Sequence, residues 1–188
     1  MTILFGGAFD PPHMGHAALA RAAKEQFQPE RLVVLVSENP GHKDVHLPPG
    51  TRLELARAAF PDDEVRLDPH PRTVDLLRAE PFDDPVFVVG ADQFADFLSW
   101  KEPDTVLEHS RLAVATRPGY PRERLDAVLE ELDQPERVIF FEIEPNPASS
   151  REIRELAAAG APLTGLVPDG VDELIKARGL YVREAGLH

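Results

Sequence analysis

Short apolar runs alternate along this chain with stretches whose apolar positions recur every three or four residues. Ile3 to Phe5 reads as a buried strand. Arg31 to Val36 and Pro85 to Val89 are β-branched runs of the kind buried on both faces of a sheet. Val65 to Leu67, Arg111 to Ala115 and Val138 to Phe141 complete the strand set. Helical spacing covers Ala17 to Phe27, Thr51 to Phe60 with Thr51 as its N-cap, and Thr73 to Ala79. It returns from Ala91 to Phe97, Pro121 to Leu132, Ser149 to Ala159 and Asp169 to Ala177. Strand then helix, repeated, predicts an α/β fold with a doubly wound parallel sheet. We expect a single domain over residues 1–188 with a small C-terminal helical part. The loops after Phe5, Val36, Val89, Ala115 and Phe141 all follow strands. They should gather on one edge of the sheet, where such folds bind ligands.

The richest chemistry lies in the first of those loops. Gly6-Gly7 follows the strand, Asp10-Pro11-Pro12 prevents strand or helix from continuing, and His13 and His16 open an alanine-rich helix. The i,i+3 spacing puts both imidazoles on one face of its first turn. A helix start offers unpaired N–H groups and partial positive charge, so this is a candidate phosphate site. Ser149-Ser150 opens a later helix with Arg154 one turn in. Hydroxyls, free N–H groups and a guanidinium suit a triphosphate, although an ordinary N-cap supported by Glu152 reads equally well.

Gly6-Gly7-Ala8-Phe9-Asp10-Pro11-Pro12-His13-Met14-Gly15-His16 resembles the long HxGH motif of bacterial nicotinate-mononucleotide adenylyltransferases, in the HxGH nucleotidyltransferase superfamily. Ser149 to Arg154 resembles the Ile-Ser-Ser-Thr-x-Ile-Arg motif of that family, with Arg151 in place of threonine. Asn39-Pro40-Gly41-His42-Lys43, Gly90-Ala91-Asp92, Trp100 and Arg117-Pro118-Gly119 follow in the family's order, and Leu180-Tyr181 matches its ending as packing. The resemblance implies a Rossmann-like nucleotidyltransferase fold and adenylyl transfer from ATP to nicotinate mononucleotide, with Mg²⁺. It implies catalytic roles for His13, His16, Lys43 and Arg154. ATP contacts would come from Gly6, Gly7, Ala8, Phe9, Gly90, Asp92, Ser149 and Ser150 together with both histidines and Arg154. Within this scheme His16 meets the α-phosphate and His13 the outer phosphates. Lys43, Thr73, Trp100 and Arg117 would serve the mononucleotide. Read alone, Lys43 could be a solvated loop lysine, Asp92 a helix cap and Trp100 a core residue. Two departures stand out. Ala8 replaces a hydroxyl residue, and Arg72, just before Thr73, replaces the tyrosine of a segment that helps select the nicotinate carboxylate.

Composition narrows the field. The chain has 188 residues, 43% hydrophobic and 28% charged, as in ordinary globular proteins. A net charge of −13 argues against a nucleic-acid surface but not against a locally positive pocket for a small anion. With no cysteine there is no disulfide, thiolate metal site or thiol nucleophile. No apolar run is long enough to span a membrane, and no basic-then-apolar leader opens the chain. We therefore expect a cytoplasmic protein without membrane partners, and leave a homo-oligomer open. The pairs His13/His16 and His42/His46 lack a third ligand at a familiar spacing, so no dedicated metal site is expected. Two other readings compete. One is a different transferase of the superfamily, such as a phosphopantetheine adenylyltransferase. The other is a nucleotide sensor without turnover, which would need neither both histidines nor Arg154.

Overall fold

A computed structural model describes residues 1–41 and 43–182. His42, within the Asn39–Lys43 loop, and His188 lie outside the described residues. The chain runs β1 (Thr2–Gly7), α1 (Met14–Phe27), β2 (Arg31–Ser37), α2 (Pro49–Ala59), β3 (Glu64–Asp68), α3 (Thr73–Ala79) and β4 (Pro85–Gly90). It continues through α4 (Ala91–Ala95), α5 (Pro103–His109), β5 (Arg111–Thr116), α6 (Arg122–Glu130), β6 (Val138–Glu142), α7 (Ser150–Ala158) and α8 (Asp169–Arg178). The strands form one six-stranded sheet in the order β3-β2-β1-β4-β5-β6, and every pairing is parallel. This is the expected doubly wound α/β fold.

Alternate residues of the strands point to opposite faces. Leu4, Val33, Leu35, Phe87, Val89, Leu112 and Val114 pack on one side with residues of α3 to α6. Ile3, Phe5, Val34, Val36, Val86 and Val88 pack on the other with α1 and α2. A third cluster joins Leu55 of α2 to Ile153, Val171 and Ile175, so the C-terminal helices dock on α2.

Strand order reverses between β1 and β4. Their register runs only from Thr2↔Pro85 to Leu4↔Phe87, although β1 continues to Gly7 and β4 to Gly90. Past that point the two strands part, and the crevice outside their carboxyl ends is where ligands bind in such sheets. The Gly6–Phe9 and Gly90–Asp92 segments flank it.

Three helix boundaries depart notably from expectation, and one helix is additional to it. Helix α1 begins at Met14, because His13 itself caps it. Helix α2 begins at Pro49, a residue suited to a first helical position, so Thr51 lies inside the helix and is not its cap. Helix α4 ends at Ala95 and is followed by a 3₁₀ turn over Phe97–Ser99. Helix α5 is absent from the sequence reading, since its seven residues bury only Val106 and Leu107 and show too little periodicity.

Candidate active site

His13 and His16 form a reciprocal cap on α1. The Gly15 N–H donates to Nδ1 of His13 at 3.0 Å, and the His13 N–H donates to Nδ1 of His16 at 3.1 Å. Each Nδ1 must therefore carry a lone pair, which puts the proton of each neutral ring on Nε2. Neither Nε2 has a hydrogen-bond partner among the described residues, and both histidines are partly buried. The cap thus leaves two N–H donors on the far sides of two rings whose centroids are 3.8 Å apart. Burial lowers the His13 pKa to about 4. Burial also holds His16 well below its ordinary value, reinforced by the charges of His13 and Lys43. Both rings are neutral donors near pH 7.

Gly15 is required by this packing. A Cβ built there would lie 2.8 Å from Cε1 and 2.9 Å from Nδ1 of His13. The glycine of the motif lets the His13 ring fold back over the helix start.

The lowered pKa has a measurable consequence. Between pH 6.5 and about 4 the unfolded chain binds a proton at His13 that the folded chain refuses. Stability is therefore lost as pH falls through that window. His13→Asn keeps a good N-cap but cannot titrate, so its Tm should fall less steeply from pH 7 to 4.5. An Asn variant as acid-sensitive as the parent would remove His13 as the source.

Helix α7 is tied to the same loop. Ser150 Oγ donates to the Pro11 carbonyl at 2.8 Å, and Arg154 Nη1 donates to the Asp10 carbonyl at 2.8 Å. Ser149 accepts from the Glu152 N–H as an N-cap. Both hydroxyls thus already serve the protein, while Arg154 keeps further donors and stands 14% exposed. Phe9 places its ring 5.0 Å from that of His16. The structure places Gly6, Gly7, Ala8, Phe9, His13, His16, Ser149, Ser150 and Arg154 around one loop. Lys43 is exposed and makes no ion pair among the described residues, yet its charge acts on His16.

The remaining candidates form two outlying groups. Asp92, in the first turn of α4, accepts from the Tyr120 hydroxyl at 2.9 Å, and the Tyr120 N–H closes a turn onto the Arg117 carbonyl. The N–H of Gly90 is held by Gln93 at 3.1 Å. Trp100 is half-buried, edge-on to Phe97 at 5.2 Å. The neighbouring Lys101 reaches Asp75 of α3 at 2.7 Å, which brings the Trp100 segment beside the helix that Thr73 opens. Among the described residues no hydrogen bond joins this pair to the histidines.

Comparison with known proteins reads the same way. Residues 4–156 match the cytidylyltransferase-like family model. A probable nicotinate-nucleotide adenylyltransferase of Rubrobacter xylanophilus is 36% identical over 97% of this chain and 92% of its own length. The chain belongs to the nicotinate-nucleotide adenylyltransferase family. A probable family member of Thermus thermophilus is 36% identical over 95% of this chain and 97% of its own. The nicotinic acid mononucleotide adenylyltransferase of Plasmodium falciparum, solved with NaAD, shares the fold. Its TM-score is 0.74 at 16% identity, covering 96% of each chain.

Several residues that build this family site escaped the sequence reading. Asp10 is 3% exposed and is the hub of the motif loop. It accepts from the Tyr181 hydroxyl at 2.7 Å and from the His46 N–H at 2.6 Å. Tyr181 is therefore more than packing, and burial and its bond to Asp10 push its pKa up. Arg52 lies buried between two loops. The one signal for it in sequence is a cation in the first turns of a helix, where the dipole disfavours positive charge.

A cleft of about 770 Å³ is lined by Arg154, Arg151, His46 and Tyr181, but by neither His13 nor His16. It adjoins the site through Arg154. Among the described residues no group of three or more His, Asp or Glu side chains is arranged to hold a metal ion, and no helix is long and apolar enough to cross a membrane.

Proposed function

We propose that this chain transfers the adenylyl group of ATP to nicotinate mononucleotide, giving nicotinate adenine dinucleotide and pyrophosphate. The observation that carries the reading is the reciprocal histidine cap, which leaves two neutral Nε2–H donors at a helix N-terminus whose loop also holds Arg154 through the Asp10 carbonyl. The mononucleotide phosphate attacks the ATP α-phosphorus in line, and pyrophosphate leaves. The nucleophile is already anionic near neutral pH, so no base is required. Catalysis then rests on bringing two anions together and stabilising charge on the transferring and leaving groups. His16 donates to the α-phosphate, His13 and Arg154 to the outer phosphates, and Lys43 closes from the second loop. The backbone of Gly6 to Phe9 and the hydroxyl-capped start of α7 line the phosphates. Gly90 and Asp92 hold the ATP nucleoside.

Among the described residues the donor set is cationic and neutral nitrogen, with no carboxylate cage. A divalent metal would fit here on the phosphates of ATP, as Mg²⁺ commonly binds. It would neutralise part of the charge on the departing pyrophosphate.

Trp100 and Thr73 hold the pyridine ring, and Arg117 also serves the mononucleotide. Trp100→Ala should raise the KM of the mononucleotide by about 10-fold or more, as the loss of one stacking contact implies, with ATP little changed. Equal effects on both substrates would count against stacking. The reaction itself is tested by pyrophosphate release from ATP with nicotinate mononucleotide, nicotinamide mononucleotide and phosphopantetheine in parallel. Strong release with the nicotinate compound alone is expected. ATP binding without release would instead favour a nucleotide sensor.

A further inference from the structure

We infer that Arg52 is a positioning residue that locks the two phosphate-side loops to each other, a role that rests on the reaction proposed above. Arg52 is 1% exposed, on the second turn of α2. Its Nη1 donates to the Ala8 carbonyl at 2.7 Å and the Ser37 carbonyl at 2.8 Å. Its Nη2 donates to the Glu38 carbonyl at 3.3 Å and its Nε to the Leu47 carbonyl at 3.0 Å. One guanidinium therefore bridges the loop after β1 and both ends of the loop that carries Lys43.

The Ala8 contact aims the site. The Ala8–Phe9 peptide is trans, so holding the Ala8 carbonyl toward Arg52 turns the Phe9 N–H the opposite way. Phe9 has φ 51°, a left-handed conformation that bulky residues adopt only when their surroundings enforce it. Arg52 grips the peptide on one side of Phe9. The Phe9 ring, wedged edge-on to Phe5 and Phe60, then lies against His16. The guanidinium thus sets the ring that backs the imidazole, and at the same time the reach of Lys43. A lysine carries the same charge but cannot span four carbonyls in a planar fork.

The test uses Arg52→Lys and Arg52→Gln in the full chain. Two readouts are followed beside Tm: the kcat–KM split, and the ring ¹⁵N shifts of His13 and His16. Arg52→Lys leaves at least one of the four buried carbonyls unpaired and should lower Tm. Assayed well below that Tm, it should still lose about 10²-fold in kcat, the scale of a 1 Å misplacement. KM for either substrate should move less. Its His16 shifts should depart from the pure Nε2–H form. Arg52→Gln, shorter, uncharged and with only two donors, should lose at least as much kcat as Arg52→Lys. A merely structural arginine would make kcat follow Tm instead. The inference is overturned if kcat of folded Arg52→Lys stays within threefold of the parent, if the His16 shifts are unchanged, or if neither variant folds. Should the unaltered protein release no pyrophosphate with any mononucleotide, the proposed reaction fails, while the ring shifts still judge Arg52.

Discussion

Replacing His16 with alanine is expected to lower kcat by about 10²–10³, the usual effect of removing one donor from a developing charge. The fold should survive. His16 is at the third position of α1, and its removal frees the His13 N–H at a cost of about 1 kcal/mol, as for other lost caps. Chemistry and capping can be separated. Glutamine at this position can reach back to the His13 N–H as in a capping box, but its amide does not extend to where Nε2 stands. His16→Gln should therefore recover stability and leave turnover low. Steady-state pyrophosphate release and thermal unfolding on the two variants decide it. A well-folded His16→Ala with near-parental kcat would remove His16 from the reaction.

The six strands and most helices are legible because a parallel sheet buries both faces of its strands, leaving runs such as Leu32 to Val36 without polar interruption. Helix α5 is not legible because it is short and buries few residues. At the site, the residues that face ligand carry recognisable spacing, and His13, Gly15 and His16 share one turn. The residues that hold them do not. Arg52 is far from Ala8 in sequence, and Tyr181 lies at the opposite end of the chain from Asp10. Their partners are backbone carbonyls or a single carboxylate, and such contacts exist only after the sheet has brought β1 beside β2. The two serines show the converse limit. Hydroxyls at a helix start suit a phosphate or a cap, and in the structure Ser149 is a cap while Ser150 holds Pro11.

Asp10→Asn is expected to be the most damaging isosteric change in the molecule. Asp10 Oδ1 accepts from Tyr181 and Oδ2 from the His46 N–H, so both oxygens face donors. An amide that turns its NH₂ toward the His46 N–H sets donor against donor. One that turns it toward Tyr181 donates to the hydroxyl oxygen but leaves the hydroxyl proton without its acceptor in a buried place. The change also removes the negative charge that faces Arg154, 3.9 Å away. Breaking a buried charged network of this kind costs about 3–5 kcal/mol, and at this chain length that lowers Tm by roughly 6–20 °C. Tyr181→Phe deletes only one donor and should cost about 1–2 kcal/mol. In the double variant Asp10→Asn, Tyr181→Phe the amide can turn its NH₂ away from His46 without meeting the Tyr181 hydroxyl. Its loss should therefore be smaller than the sum of the two single losses, a coupling that distant sites do not show. Strict additivity in thermal or urea unfolding would mean that Asp10 acts through its charge on Arg154 alone. The site would then be tied to the C-terminal residues by packing, with no contribution from the Tyr181 hydrogen bond.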